Sequence, residues 1–190
     1  MIRLGAVLLS LLLLAAVALK SGHLGAPPQV GPGGAFSLVN SDGQPVNESV
    51  LKGKWSVVFF GFTYCPDVCP TTLADLAQAK VRLGPKADKL QVVFISVDPD
   101  RDTPAQLKAY LSNDAFPKGT LGLTGTPDQI RSVTSAYKVY YEKSGTGGDY
   151  VVNHSSASYL MDPKGRFVRV LPYGLGPSEL ANQISLAMPG

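Results

Sequence analysis

Apolar and polar positions alternate between two periods along this chain. Residues 55–62 and 90–97 are nearly unbroken apolar runs rich in valine and phenylalanine, the pattern of strands covered on both faces. Between them, Leu73, Leu76, Ala77, Lys80 and Val81 fall at helical spacing to about residue 83. Pro70 sets where that helix starts: its ring would clash with the carbonyl of Pro66, so 66–69 is expected to be an irregular turn and 70 the first helical residue. Thr103, with Pro104 next and Gln106 three positions on, predicts a capped helix to about Asn113. Thr126-Pro127-Asp128-Gln129 repeats the device for a helix to about Ala136. Residues 36–46 predict a short hairpin. Residues 137–143 and 149–153 predict two arms around a glycine-rich turn. Residues 158–161 and 166–171 predict a closing hairpin, and 177–188 a last helix. Strands alternating with helices and ending in a hairpin imply an α/β, thioredoxin-like fold with a mixed central sheet and an inserted β-hairpin around 137–153.

The amino terminus changes this picture. Residues 4–19 carry no charge, Arg3 precedes them and Lys20 closes them. A run of this kind is an export element, either a membrane anchor or a signal segment cleaved after Ala16-Val17-Ala18. Positive charge at the extreme N-terminus keeps that end in the cytoplasm, so the domain is expected on the extracytoplasmic, periplasmic side. Glycine and proline dominate 20–34, too little apolar area for a core. The expected division is therefore 1–20 anchor or signal, 21–33 linker and 34–190 folded domain. With 45% hydrophobic and 16% charged residues the domain can bury one core. The 17 basic and 14 acidic side chains are scattered, without the basic runs of nucleic-acid surfaces, and no nucleic-acid partner is expected.

Candidate chemistry concentrates in the only two cysteines, Cys65 and Cys69. They follow the first apolar run directly and stand at a helix start, where unpaired N–H groups and the helix dipole lower thiol pKa values. Four residues close too small a loop to staple a fold, so the pair calls for a chemical reading. It can cycle between dithiol and disulfide or hold a soft ion such as Cu(I). Of the two histidines, His23 lies in the linker and His154 in a loop at a strand end. A lone loop histidine is more often structural than a ligand. Two thiolates and one imidazole nevertheless form a set that suits Cu(I), Cu(II) with one further donor, or zinc with water in fourth place. A thiol-disulfide oxidoreductase is the competing reading, against which the three-residue spacer speaks. A peroxiredoxin-like peroxidase would want threonine at position 62, which is Phe62.

Several segments carry a resemblance: Phe59-Phe60-Gly61-Phe62-Thr63-Tyr64-Cys65-Pro66-Asp67-Val68-Cys69-Pro70-Thr71, then Phe94 to Pro104 with Asp98-Pro99-Asp100-Arg101-Asp102-Thr103, then Gly122 to Thr126, and His154-Ser155 ahead of Tyr159 to Pro163. In this order they resemble the Sco/SenC family of copper-binding assembly factors of cytochrome c oxidase, over about residues 33–188. The resemblance implies that Cys65, Cys69 and His154 are copper ligands, for Cu(I) and Cu(II), with Cys65 and Cys69 also a redox-active pair. It implies a membrane-tethered metallochaperone or thiol reductant, not an enzyme in the turnover sense, acting on the dinuclear copper centre of cytochrome c oxidase subunit II. Other extracytoplasmic copper or thiol-redox proteins are further partners, and one tether is compatible with a monomer. The family's acidic residue before the histidine is Asn153 here. Asp67 and Asp98 either assist copper or docking, or simply make a turn and cap local backbone N–H groups.

Overall fold

The computed structural model describes residues 31–145, 147 and 150–188. The anchor or signal expected at 1–20, and the linker up to residue 30, lie outside the described residues. Within them, no helix is long and apolar enough to cross a membrane.

In chain order the described elements are β1 (Ser37–Asn40), β2 (Pro45–Asn47), β3 (Trp55–Gly61), α1 (Val68–Leu83), β4 (Leu90–Ser96), α2 (Pro104–Leu111), β5 (Leu121–Thr124), α3 (Pro127–Ala136), β6 (Tyr141–Ser144), β7 (Val151–His154), β8 (Ser158–Met161), β9 (Phe167–Leu171) and α4 (Gly176–Ala187). Seven strands form one sheet in the order β2-β1-β5-β4-β3-β8-β9. β3, β4 and β5 run parallel at its centre, and the outer pairings are antiparallel. The two apolar runs of the sequence are thus the central pair, in register from Trp55 opposite Leu90 to Gly61 opposite Ser96. Both faces of that pair are covered, which is why the runs do not alternate. On one face Phe59 meets Phe94 and Phe94 meets Tyr110 beneath α1 and α2, with α4 packed on α1. On the other, Phe60 packs on Tyr137 and Tyr159 behind α3. The result is the mixed-sheet, thioredoxin-like α/β architecture expected.

Three local differences have physical reasons. α1 begins at Val68, two residues before the predicted start. Pro70 is only its third residue, so the carbonyl its ring would strike belongs to Pro66 outside the helix, and its missing N–H would have had no partner. The first helical bond runs from Thr71 N to Asp67 O at 3.1 Å. Second, β5 was not anticipated, being four residues that include a glycine. A Cβ on Gly122 would lie 2.6 Å from Leu111 Cδ1, so the Leu111 side chain of α2 fills the space over this glycine. Third, the inserted hairpin starts at Tyr141 rather than 137. Tyr137 is instead fully buried beside Phe60 and Tyr159, and Lys138 turns the chain with a left-handed φ of 57°. Among the described residues β6 and β7 pair only with each other, as a separate two-stranded sheet. Such a ribbon is marginal by itself, so its contacts with the main body hold it in place.

Candidate metal centre

Residues 62–69 leave the C-terminal end of β3 in a tight turn, with Cys65 N donating to Phe62 O at 3.2 Å. Cys69 is the second residue of α1 and is fully buried, its sulfur directly over the backbone of Gly61. A Cβ at Gly61 would stand 2.7 Å from Cys69 Sγ and 2.9 Å from the Phe94 ring, so glycine is required for the sulfur to sit there. Cys69 N donates to Cys65 Sγ at 3.4 Å. From the other side β7 ends in His154, whose Nε2 is 3.7 Å from Cys69 Sγ. Its Nδ1 lies 2.9 Å from Ser155 O, and a carbonyl can only accept, so this contact assigns the ring proton to Nδ1 and leaves the Nε2 lone pair directed at the sulfurs. Phe62 packs edge-on to the ring at 5.7 Å. One ligand atom each from Cys65, Cys69 and His154 lies within 4.8 Å of the others. The structure therefore brings together the three residues singled out in the sequence, with His154 as the last residue of a strand. His23 lies outside the described residues.

The electrostatics split the thiols. Cys65 is held down to about 4, first by the S–H that Cys69 donates to it, with the backbone N–H groups of Asp67 and Cys69 adding to this against partial burial. Cys69 is pushed far above the ordinary thiol range, by giving that hydrogen bond and by its burial. The expectation of two acidified thiols at a helix start thus holds for Cys65 alone, because two sulfurs in contact share one proton. Both cysteines are free thiols in this structure.

The expected roles of the nearby acids need correction. Asp67 is an exposed helix cap whose carboxylate accepts only from Thr71 Oγ1 among the described residues, at 3.3 Å, while its carbonyl accepts from Thr71 N. Among the described residues the Asp98 side chain caps no backbone N–H. Its buried carboxylate accepts from Arg101 Nε at 2.5 Å and from the Tyr150 hydroxyl, with Lys143 Nζ at 3.4 Å. Turn-making falls to its carbonyl, which accepts from Arg101 N and Asp102 N. Asp102 is equally buried and accepts from Thr63 N at 3.0 Å, Thr63 Oγ1 at 2.7 Å and Ser96 Oγ at 2.6 Å. Burial raises its pKa, and those donors oppose the shift.

The loop 98–103 is consequently a bracket. Asp102 grips the turn that carries Cys65, while Asp98 and Arg101 grip the hairpin that carries His154. The Arg101 guanidinium lies 3.8 Å from the Tyr150 ring centre and 4.8 Å from that of Tyr64, and its Nη1 donates to Tyr150 O at 3.1 Å. Lys143 adds an ion pair to Asp100 at 2.5 Å. Sequence reasoning missed Arg101, Asp102, Tyr150 and Lys143. Three acids and an arginine within five positions were a visible signal, but their partners lie up to 52 residues away. Asn153 is exposed, and its amide sits 3.5 Å from Ser144 Oγ. Strand alternation turns it away from the face on which His154 meets the thiols.

A thioredoxin-like domain with two thiols and an imidazole at one end of its central strands belongs to the class that handles soft metal ions or thiol redox chemistry. More particularly, the chain belongs to the SCO1/SenC family, whose family model matches residues 26–188. It is 44% identical over 156 residues to protein SCO1 homolog 1, mitochondrial, of Arabidopsis thaliana, covering 80% of this chain and 45% of that protein. It is 46% identical over 143 residues to protein SCO2, mitochondrial, of Saccharomyces cerevisiae, covering 73% and 47%. The chain thus spans about half the length of these two curated relatives. Among solved structures it resembles ScoI of Bradyrhizobium japonicum with copper bound, at 43% identity and a TM-score of 0.74, over 83% of this chain and all of that one.

Proposed function

We propose that this chain is an extracytoplasmic, membrane-tethered copper-binding protein that serves cytochrome c oxidase assembly. Copper would be carried as cargo on Cys65, Cys69 and His154. The observation that carries the reading is the convergence of two sulfurs and a proton-free imidazole nitrogen from two separate elements, within 4.8 Å. A thiolate-rich N/S donor set suits copper by polarisability. Relatives solved with copper bound support it, among them yeast Sco1 at 40% identity and a TM-score of 0.75. The apolar run at 4–19 supports the tether. The recipient we propose is the dinuclear copper centre of subunit II.

The lowered Cys65 also favours a second use of the same pair, as a thiol reductant for that recipient. Cys65 thiolate would attack a disulfide of the recipient, forming a mixed disulfide and expelling one recipient thiolate. With the Cys65 charge consumed, the main cause of the Cys69 shift is gone, so Cys69 can lose its proton and attack Cys65 Sγ. That closes a Cys65–Cys69 disulfide and releases the second recipient thiolate, two electrons having passed to the recipient.

The test is anaerobic titration of the reduced chain with Cu(II), followed by optical and electron-paramagnetic spectra, for the wild type and His154→Ala. A stoichiometric complex with sulfur-to-copper charge transfer, altered or lost in the variant, is expected. Thiol oxidation without a complex and without dependence on His154 would put the reductant reading first and remove copper carriage.

A further inference from the structure

Charges that are scattered along the sequence are sorted in space. The thiol site lies at the C-terminal ends of β3 and β4, and the opposite end of the domain is basic. β3 and β4 both begin there, since Trp55 pairs with Leu90, and β8 ends there, since Ser56 pairs with Met161. Lys52 and Lys54 precede β3, Lys89 precedes β4, and Lys164 and Arg166 sit in the turn between β8 and β9. All five are exposed. Lys52 bridges to Lys164, and Gly53 N donates to Pro163 O at 2.9 Å, which fixes these two basic segments side by side. Lys80 and Lys86 stand at the same end. Lys80 Nζ donates to Leu90 O, and Lys86 Nζ to the carbonyls of Ser185 and Met188 at the end of α4. The acids here include Asp88 and Asp162, Asp162 already spent on Arg166 at 2.6 Å, and toward β5 Asp42 and Asp114, which pair with Lys108 and Lys118. At the thiol end the balance is reversed: Asp67, Asp98, Asp100 and Asp102 stand against Arg101 and Lys143.

Two further observations bear on what the basic end meets. Val81 in the last turn of α1 is 80% exposed, and Leu186 in the last turn of α4 is 72% exposed, so large aliphatic side chains accompany the lysines. The described chain begins with Gly31 against the ring of Phe167, the residue directly after Arg166. Only residues 21–30 separate Gly31 from Lys20, which closes the apolar run 4–19. Ten residues reach at most about 35 Å when fully extended. The chain preceding Gly31 therefore joins the domain at its basic end, within that reach of the apolar run.

We propose that this basic end lies on an anionic lipid headgroup surface, with the lysines over the headgroups and the thiol end projecting away from the membrane. Charge complementarity and the point at which the tether joins the domain select this occupant. The proposal rests in part on reading residues 4–19 as a membrane segment, and the two readings separate experimentally.

The chain's single tryptophan, Trp55, opens β3 at the basic end and is a native reporter. The full chain is mixed with vesicles of neutral phosphatidylcholine, or of phosphatidylcholine with phosphatidylglycerol, each doped with a headgroup-level quencher lipid. Quenching of Trp55 in the anionic vesicles well above that in neutral ones is expected. It should fall to the neutral level in about 1 M salt, where screening acts within about 3 Å. It should fall likewise in the combined variant Lys52→Glu, Lys54→Glu, Lys89→Glu, Lys164→Glu, whose four side chains form no ion pair among the described residues. Equal quenching in both vesicle types, or quenching unmoved by salt and by charge reversal, overturns the proposal. So does anionic-vesicle flotation without Trp55 quenching, which would leave the basic end free for an acidic protein surface. Flotation with neutral vesicles at high salt reports the apolar run separately: its failure, with anionic quenching intact, removes the anchor and not the docking surface.

Discussion

Because Cys69 donates its S–H to Cys65, the pair meets reagents as one thiolate and one thiol over most of the accessible pH range. A depressed pKa favours the deprotonated form at every pH above it, so Cys65 is already the nucleophile in mildly acidic solution. Iodoacetamide should therefore alkylate Cys65 at a nearly constant rate between about pH 6 and 8, where an ordinary thiol with a pKa near 8.5 gains about tenfold per unit. The rate should drop only as the pH approaches about 4. Removing the principal cause with Cys69→Ala should move the whole profile upward, and peptide mass spectrometry reads both rates. The sequence placed both sulfurs at a helix start but gave no sign of which would keep the proton. That asymmetry comes from depth: Gly61 admits Cys69 into the core, while Cys65 stays at the rim.

At the level of elements, two loops and a hairpin are joined by few but charged contacts, and among the described residues the hairpin has no strand pairing with the main sheet. Tyr150 contributes a ring under Arg101 and a hydroxyl to Asp98, so Tyr150→Phe removes one charge-assisted hydrogen bond and keeps the stack. Losing such a bond should lower the opening free energy of the hairpin by about 1–2 kcal/mol, roughly a 5- to 30-fold gain in opening. Hydrogen exchange of β6 and β7 amides should accelerate by that factor, with amides of β3 and β4 unchanged. Equal acceleration in both sheets would mean that the hairpin is not an independent unit. Elements with a local cause were legible: Thr126 makes the capping box with Gln129 as its spacing predicts. Thr103 accepts from Gln106 N, but the Gln106 side chain reaches Thr63 instead, 43 residues away. Long-range competition of this kind, like the burial of Tyr137 that delays the hairpin, leaves no mark on local periodicity.

Over the whole molecule, one continuous apolar cluster runs from Phe36 and Leu38 through the central strands to Ile184 and Met188. A domain with a single core should unfold as one unit. Urea transitions followed by Trp55 fluorescence and by far-ultraviolet circular dichroism should coincide, and separated midpoints would show a second cooperative unit within the main body. The class of fold was readable because both central strands and most flanking helices announce themselves through apolar runs and caps. The polarity of the surface was not, since alternating signs along the chain say nothing of which charges the topology gathers at one end. The two-stranded sheet carries a last consequence. Every strand pairing of the seven-stranded sheet is made without the hairpin residues 141–154. A plain dithiol protein of this architecture is thus a single insertion away from one that offers a nitrogen donor as well. New coordination chemistry could be acquired, or shed, without rewriting the scaffold beneath it.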